Sequence, residues 1–193
     1  KALLFENSDN NVISDLTIRN GQSTDETDFD FPRGGGIYVN SSSVDFESIT
    51  IEESLAFDGG GIYFLTSTSN LRNVNIQNND AVQGGGGIFS YGSFITISNE
   101  SYIYGNIALG GVPENGDEII FGSGGGVKAD ASSNLVIADT EVSSNKSRYG
   151  AALYISNGSV ANLLSTNISG NIITDIINNE NTSFGHIINV VNA

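Results

Sequence analysis

The sequence predicts an all-β chain wound into a single-stranded parallel β-helix of about six rungs, with long loops at one corner. Three observations carry this reading. A Gly-Gly-Gly-aliphatic tetrad keeps returning, short runs of alternating apolar and polar residues follow each copy, and the variation in repeat length falls in one segment. The tetrads are Gly34–Ile37, Gly59–Ile62, Gly85–Ile88 and Gly124–Val127, with a degenerate copy at Gly150–Leu153. Their third residues stand at 36, 61, 87, 126 and 152, which gives intervals of 25, 26, 39 and 26. Weaker marks at Ala2–Leu3 and His186–Ile187 extend the series by 34 residues at either end.

Each rung then reads in order. After the tetrad come period-two strands: Ile37, Val39, Val44, Phe46, Ile49 and Ile51 in one rung, Ile62, Phe64, Leu71, Val74 and Ile76 in the next. A polar mark follows, at Asn20, Glu53, Asn78, Asn106, Asn145 and Asn171. From tetrad to mark the chain takes 17 to 19 residues, but from mark to next tetrad anything from 7 to 20. One corner therefore absorbs insertions while the rest stays in register, as in a solenoid. Stacked rungs make vertical neighbours of equivalent residues about 4.8 Å apart, so six rungs span about 29 Å. Ile37, Ile62, Ile88, Val127 and Leu153 are expected to form one buried column, and Asn20, Asn78, Asn106, Asn145 and Asn171 an asparagine ladder at a corner. The rival, an antiparallel sandwich, would place hairpin turns at varied spacing instead of one tetrapeptide at a fixed period.

Composition limits the partners. The 193 residues carry 22 acidic and 7 basic side chains, a net charge of −15, which argues against nucleic acid and anionic lipid surfaces as ligands. There is no cysteine and one histidine, so a disulfide framework, thiolate metal sites, zinc chemistry and a Ser-His-Asp triad have little to build on. No stretch approaches the roughly 20 apolar residues of a membrane-spanning helix, so no direct membrane insertion is expected. With 24 Gly and 24 Asn but 2 Pro, the chain is built for many tight, regular corners. Residues 1–193 read as one domain, and both ends look cut in mid-solenoid, as in a segment of a longer protein whose neighbours, or self-association, meet the rod ends.

The tetrads, preceded by Asn79–Gln83, Gly105–Ala108 and Ser144–Ser147, resemble the repeats of bacterial polymorphic outer-membrane proteins and autotransporter-type passengers of the pectin-lyase-like superfamily. The resemblance runs from Ala2 to about Ile188. It implies a right-handed parallel β-helix, secreted or displayed at the cell surface, with structural or adhesive duties. Within residues 1–193 it departs from that family in having no repeated Phe-x-x-Asn motif and no stretch that reads as a translocator barrel.

Two regions are candidates for chemistry. If Ile37 points inward, Tyr38 points outward, and the same register presents Tyr63, Phe89, Lys128 and Tyr154, with Leu4 at the start. Such an exposed aromatic strip suits the apolar faces of sugar rings, so a glycan or a partner protein is the expected ligand; mutual stacking of the rings is the structural alternative. The long corners Gly21–Arg33 and Ala108–Ser123 carry Asp25, Glu26, Asp28 and Asp30, and Glu114, Asp117 and Glu118. These are hard oxygen ligands suited to Ca²⁺, although without the pattern of an EF-hand, and a solvated acidic loop is the simpler reading. The competing functional class is a polysaccharide lyase or glycoside hydrolase, for which Lys128 and Asp130 are the charged pair on the outward face. Arg19, Arg33, Arg72 and Arg148 read as surface counter-charges, and His186 as a packing residue of the last rung.

Overall fold

The computed structural model describes residues 1–23, 32–111, 120–174 and 188–191. It is a parallel β-helix. Each coil crosses four sheets in turn, as in the third coil: Ile62–Leu65 in sheet A, Thr68–Arg72 in sheet B, Asn75–Gln77 in sheet C and Asp80–Gly84 in sheet D. Sheet A stacks seven strands and sheets B, C and D six each, all parallel, so the antiparallel sandwich is excluded. A short antiparallel pair, Gly110–Gly111 with Ile120–Phe121, stands apart at the root of the second long corner.

The expected column is present in full. Leu3, Ile37, Ile62, Ile88, Val127 and Leu153 pair coil to coil, and all but Leu3 are completely buried. Parallel columns run beside it, such as Ile18, Ile51, Ile76, Ile103, Val142 and Ile168 on sheet C. Alternation supplies the pattern: in Ile37–Asn40 the first and third side chains face inward and the second and fourth outward.

Corners are turned by single residues in the left-handed region. Ser41 and Thr66 do this between sheets A and B, Ser48 and Asn73 between B and C, and Gly34, Gly59, Gly85, Gly124 and Gly150 between D and A. Where two such residues occur together, Asn99 with Glu100 or Ala131 with Ser132, the coil takes one residue more between tetrad and ladder, 19 to Asn106 and Asn145 against 18 to Asn79.

The asparagine ladder exists, but shifted by one residue in its first rungs. Asn79, Asn106, Asn145 and Asn171 form it, each side-chain amide donating to the Oδ1 of the next at 3.0 Å. The same Oδ1 atoms accept the backbone N–H of the residue below, and Ser54 and Gly21 hold the first two places. Asn20 and Asn78, expected in the ladder, instead sit one position earlier at φ of 56° and 53°. A corner needs two kinds of residue side by side, one tolerating positive φ and one satisfying buried backbone. Asparagine serves for both, so the doublet Asn78-Asn79 conceals which is which.

A second ladder carries the A–B corner. Ser42, Ser67, Ser93, Ser133 and Ser159 are each at most 4% exposed, and each Oγ accepts a backbone N–H from the coil below at 3.0 to 3.2 Å. Small hydroxyls suffice here because the turn leaves one donor per coil unpaired by the sheets.

Candidate functional site

The outward row of sheet A lies beside the glycine corner, and local chain geometry dictates what it faces. The residue before each left-handed glycine stands five positions ahead of an outward residue of sheet A: Arg33 before Tyr38, Asp58 before Tyr63, Gly84 before Phe89, Ser123 before Lys128, and Tyr149 before Tyr154. The first set is itself a vertical column, paired coil to coil. A Cβ on Gly59 would stand 2.6 Å from the carbonyl oxygen of Ile62 and 2.9 Å from the Cβ of Tyr63, so the glycine is needed both for its φ of +64° and for the close return of the following strand.

Tyr38, Tyr63, Phe89, Lys128 and Tyr154 do stack in consecutive coils. They do not form an exposed strip. Tyr63 is 2% and Phe89 4% exposed, while Tyr38, Lys128 and Tyr154 are half-buried. The rings cover one another: Tyr38 and Tyr63 are stacked at 5.6 Å, and Tyr63 meets Phe89 edge-on at 5.0 Å. Cations cap them. Lys1 lies 4.7 Å from the Tyr38 ring, Arg33 5.1 Å from Tyr63, and Lys128 4.6 Å from Phe89. Each aromatic pair contributes about 0.5–1.5 kcal/mol beyond its burial. Mutual stacking thus occupies the faces that a ligand would need in the middle of the row.

The row opens at its Tyr154 end. There a concavity of about 340 Å³ is bounded by Phe121, Tyr149 and Tyr154, by Lys128 and Asp130, and by the polar Gln83, Ser123, Ser156 and Asn157. Phe121 arrives on the returning arm of the second long corner and packs edge-on against Tyr149 at 6.2 Å, with Arg148 4.1 Å above it. Asp130 is held in place by the side-chain amide of Asn157 at 2.5 Å and the N–H of Ala131 at 2.7 Å. Burial, with Asp130 adding to it, raises the Tyr154 phenol above its ordinary range, so the hydroxyl stays a neutral donor. Aromatic faces, an amide, a carboxylate, an ammonium and hydroxyls converge in one recess.

Beneath it lies a group that the sequence did not single out. Asp58 is 5% exposed, and burial pushes its carboxyl up to about 6, although Lys128 and Arg33 oppose that shift. The signal was its place five residues before Tyr63, across the same glycine turn.

Comparison of the chain with protein-family models, with curated proteins and with solved structures gives no match. The site is therefore read on its own chemistry. Asp25, Glu26, Asp28, Asp30, Glu114, Asp117 and Glu118, proposed from sequence as calcium ligands, lie outside the described residues, as does His186. Among the described residues no three acidic or histidine side chains converge as a metal cage. Arg19 and Arg72 pair with Glu52 and Asp45 on other faces, whereas Arg33 and Arg148 join the aromatic row.

Proposed function

We propose that this chain is an adhesin-like β-helix of a secreted or surface-displayed protein, and that it binds glycan in the recess between Tyr154, Tyr149 and Phe121. The observation that carries the reading is the convergence of three aromatic rings with Asp130, Asn157, Ser156 and Gln83 around about 340 Å³. That volume lies at the lower end of the range for small-ligand pockets, about 300–1,000 Å³. A sugar presents an apolar face and a rim of hydroxyls, and this recess offers rings for the one and fixed acceptors and donors for the other. The likeness of the glycine tetrads to autotransporter passenger repeats supports display outside the cell. A glycan array probed with the wild-type chain should give specific signals, and Tyr154→Ala should weaken the best of them at least about tenfold. An array blank for the wild type, or unchanged by the substitution, overturns the assignment.

One observation favours an enzymatic second reading: Lys128 and Asp130, two residues apart on one strand, both line the recess. The Asp130 carboxylate and the Lys128 ammonium beside a bound sugar could serve as base and acid, respectively, in glycosidic cleavage. Incubation with acidic and neutral polysaccharides would then release new reducing ends or unsaturated uronides, with at least about a hundredfold loss in Lys128→Ala and Asp130→Ala. Binding without turnover leaves the adhesive reading standing alone.

A further inference from the structure

The column before the glycine corner carries Arg33, Asp58, Gly84, Ser123 and Tyr149 in successive coils. Asp58 is its buried acid, and the Oδ1 atom has no hydrogen-bond partner among the described residues. A buried carboxylate oxygen left in this way is costly, and the fold offsets it with the charges of Lys128 and Arg33 and the Gly84 N–H. One coil above, Gly84 leaves a notch. A Cβ there would stand 2.5 Å from Cδ and 3.0 Å from Nζ of Lys128, so the lysine stem lies across the glycine, directed back down the column. Its ammonium rests 4.6 Å over the Phe89 ring and 5.9 Å from that of Tyr154. Lys128 is a wall of the recess, and Asp58 is the acid beneath it.

We propose that Asp58 is a positioning residue for the recess: its charged carboxylate anchors Lys128 down through the Gly84 notch, and its protonation releases the lysine toward Asp130, narrowing the recess and loosening its ligand. This rests on the glycan reading of that recess and adds its regulation. The groups that face Asp58 are Lys128 and Asp130 from two strands above, Arg33 from the coil below, the Gly84 N–H alongside and Tyr63 across the turn. Lys128, Arg33 and the Gly84 N–H favour the charged form; Asp130 and above all burial favour the neutral one, and the balance puts the change at about 6. Above that pH the anchor holds, and below it the acid is neutral and the anchor is lost.

Two measurements test this and fail separately. The chain has three lysines, so reductive methylation with ¹³C-formaldehyde gives a sparse NMR spectrum in which the Lys128 signal is assigned by its loss in Lys128→Arg. Without any glycan, that signal should titrate with a midpoint near pH 6 in the wild type. It should lose that step in Asp58→Asn, and also in Gly84→Ala, which fills the notch without altering a charge. A Lys128 signal without the step, or with the same step in both variants, overturns the anchor. With the glycan that binds best on the array, affinity should fall several-fold from pH 7.5 to pH 5 in the wild type and stay at the lower value throughout in Asp58→Asn. A flat wild-type profile, or a rise on acidification, overturns the regulation. If the Lys128 signal shows the Asp58-dependent step but nothing binds at any pH, the anchor stands and the glycan reading falls.

Discussion

Replacing Gly60 by alanine should cost about 3–5 kcal/mol of folding stability, read as a large drop in the urea midpoint. Gly60 needs no positive φ, so the backbone conformation itself suits alanine. The obstacle is contact between coils. The added Cβ would lie 2.3 Å from the carbonyl oxygen of Asp80 and 2.6 Å from that of Gly86, both backbone atoms of the next coil. Neither can move without lengthening neighbouring hydrogen bonds, such as Gly60 N–H to Gly85 O at 3.1 Å and Gly61 N–H to Gly86 O at 3.0 Å. Gly111→Ala is the control, because a Cβ there meets nothing within 4 Å among the described residues and should shift stability by less than about 0.5 kcal/mol. Equal midpoints for the two variants would show that the coils are not packed backbone to backbone at this corner.

Asn106→Ala should be comparably severe, at about 3–5 kcal/mol. Asn106 is fully buried in mid-ladder. Its Oδ1 accepts from the backbone and side-chain N–H groups of Asn79, both at 3.0 Å, and its Nδ2 donates to Asn145 Oδ1 at 3.0 Å and Ile76 O at 2.8 Å. Alanine strands several of these partners in a dry interior, where each unsatisfied group costs about 1–3 kcal/mol. Asn171→Ala removes the same side chain from a half-exposed position, where water replaces the lost bonds, and should cost about 1 kcal/mol. Thermal or urea melts of the pair measure the difference. A similar cost at both sites would mean that burial does not set the value of the ladder.

The two substitutions also mark where reading the chain succeeded. Gly60 belongs to a tetrad whose return at 25 and 26 residues can be counted directly, because a solenoid repeats its steric demands every turn. The Ile37–Leu153 column follows from the same count. The ladder was placed less well: Asn106 was assigned correctly, while Asn78 stood in for Asn79. Both residues of a corner favour asparagine, and only the pairing of Gln77 with Tyr104 settles the register. The serine ladder was missed because serine is common throughout the chain and its spacing does not stand out. Its members nevertheless follow the tetrads at a steady six or seven residues.

The site was legible in direction but not in exposure. Period-two alternation tells that Tyr63 and Phe89 leave the sheet on the outer side, since that depends on the backbone alone. It cannot tell that Arg33 and Lys128 lie over those rings, nor that Phe121 and Tyr149 bound a recess with Tyr154. Those contacts join residues 28 to 39 positions apart through the stacking of coils and the path of a long corner. Asp58 illustrates the limit most clearly: in the chain it reads as one more surface acid closing a short strand, and only the coils above and below make it a buried one. Periodicity and glycine placement thus settle the coil, because they are local demands repeated at every turn. What each outward side chain meets was decided by the neighbouring coils, because burial and charge depend on everything packed around a group.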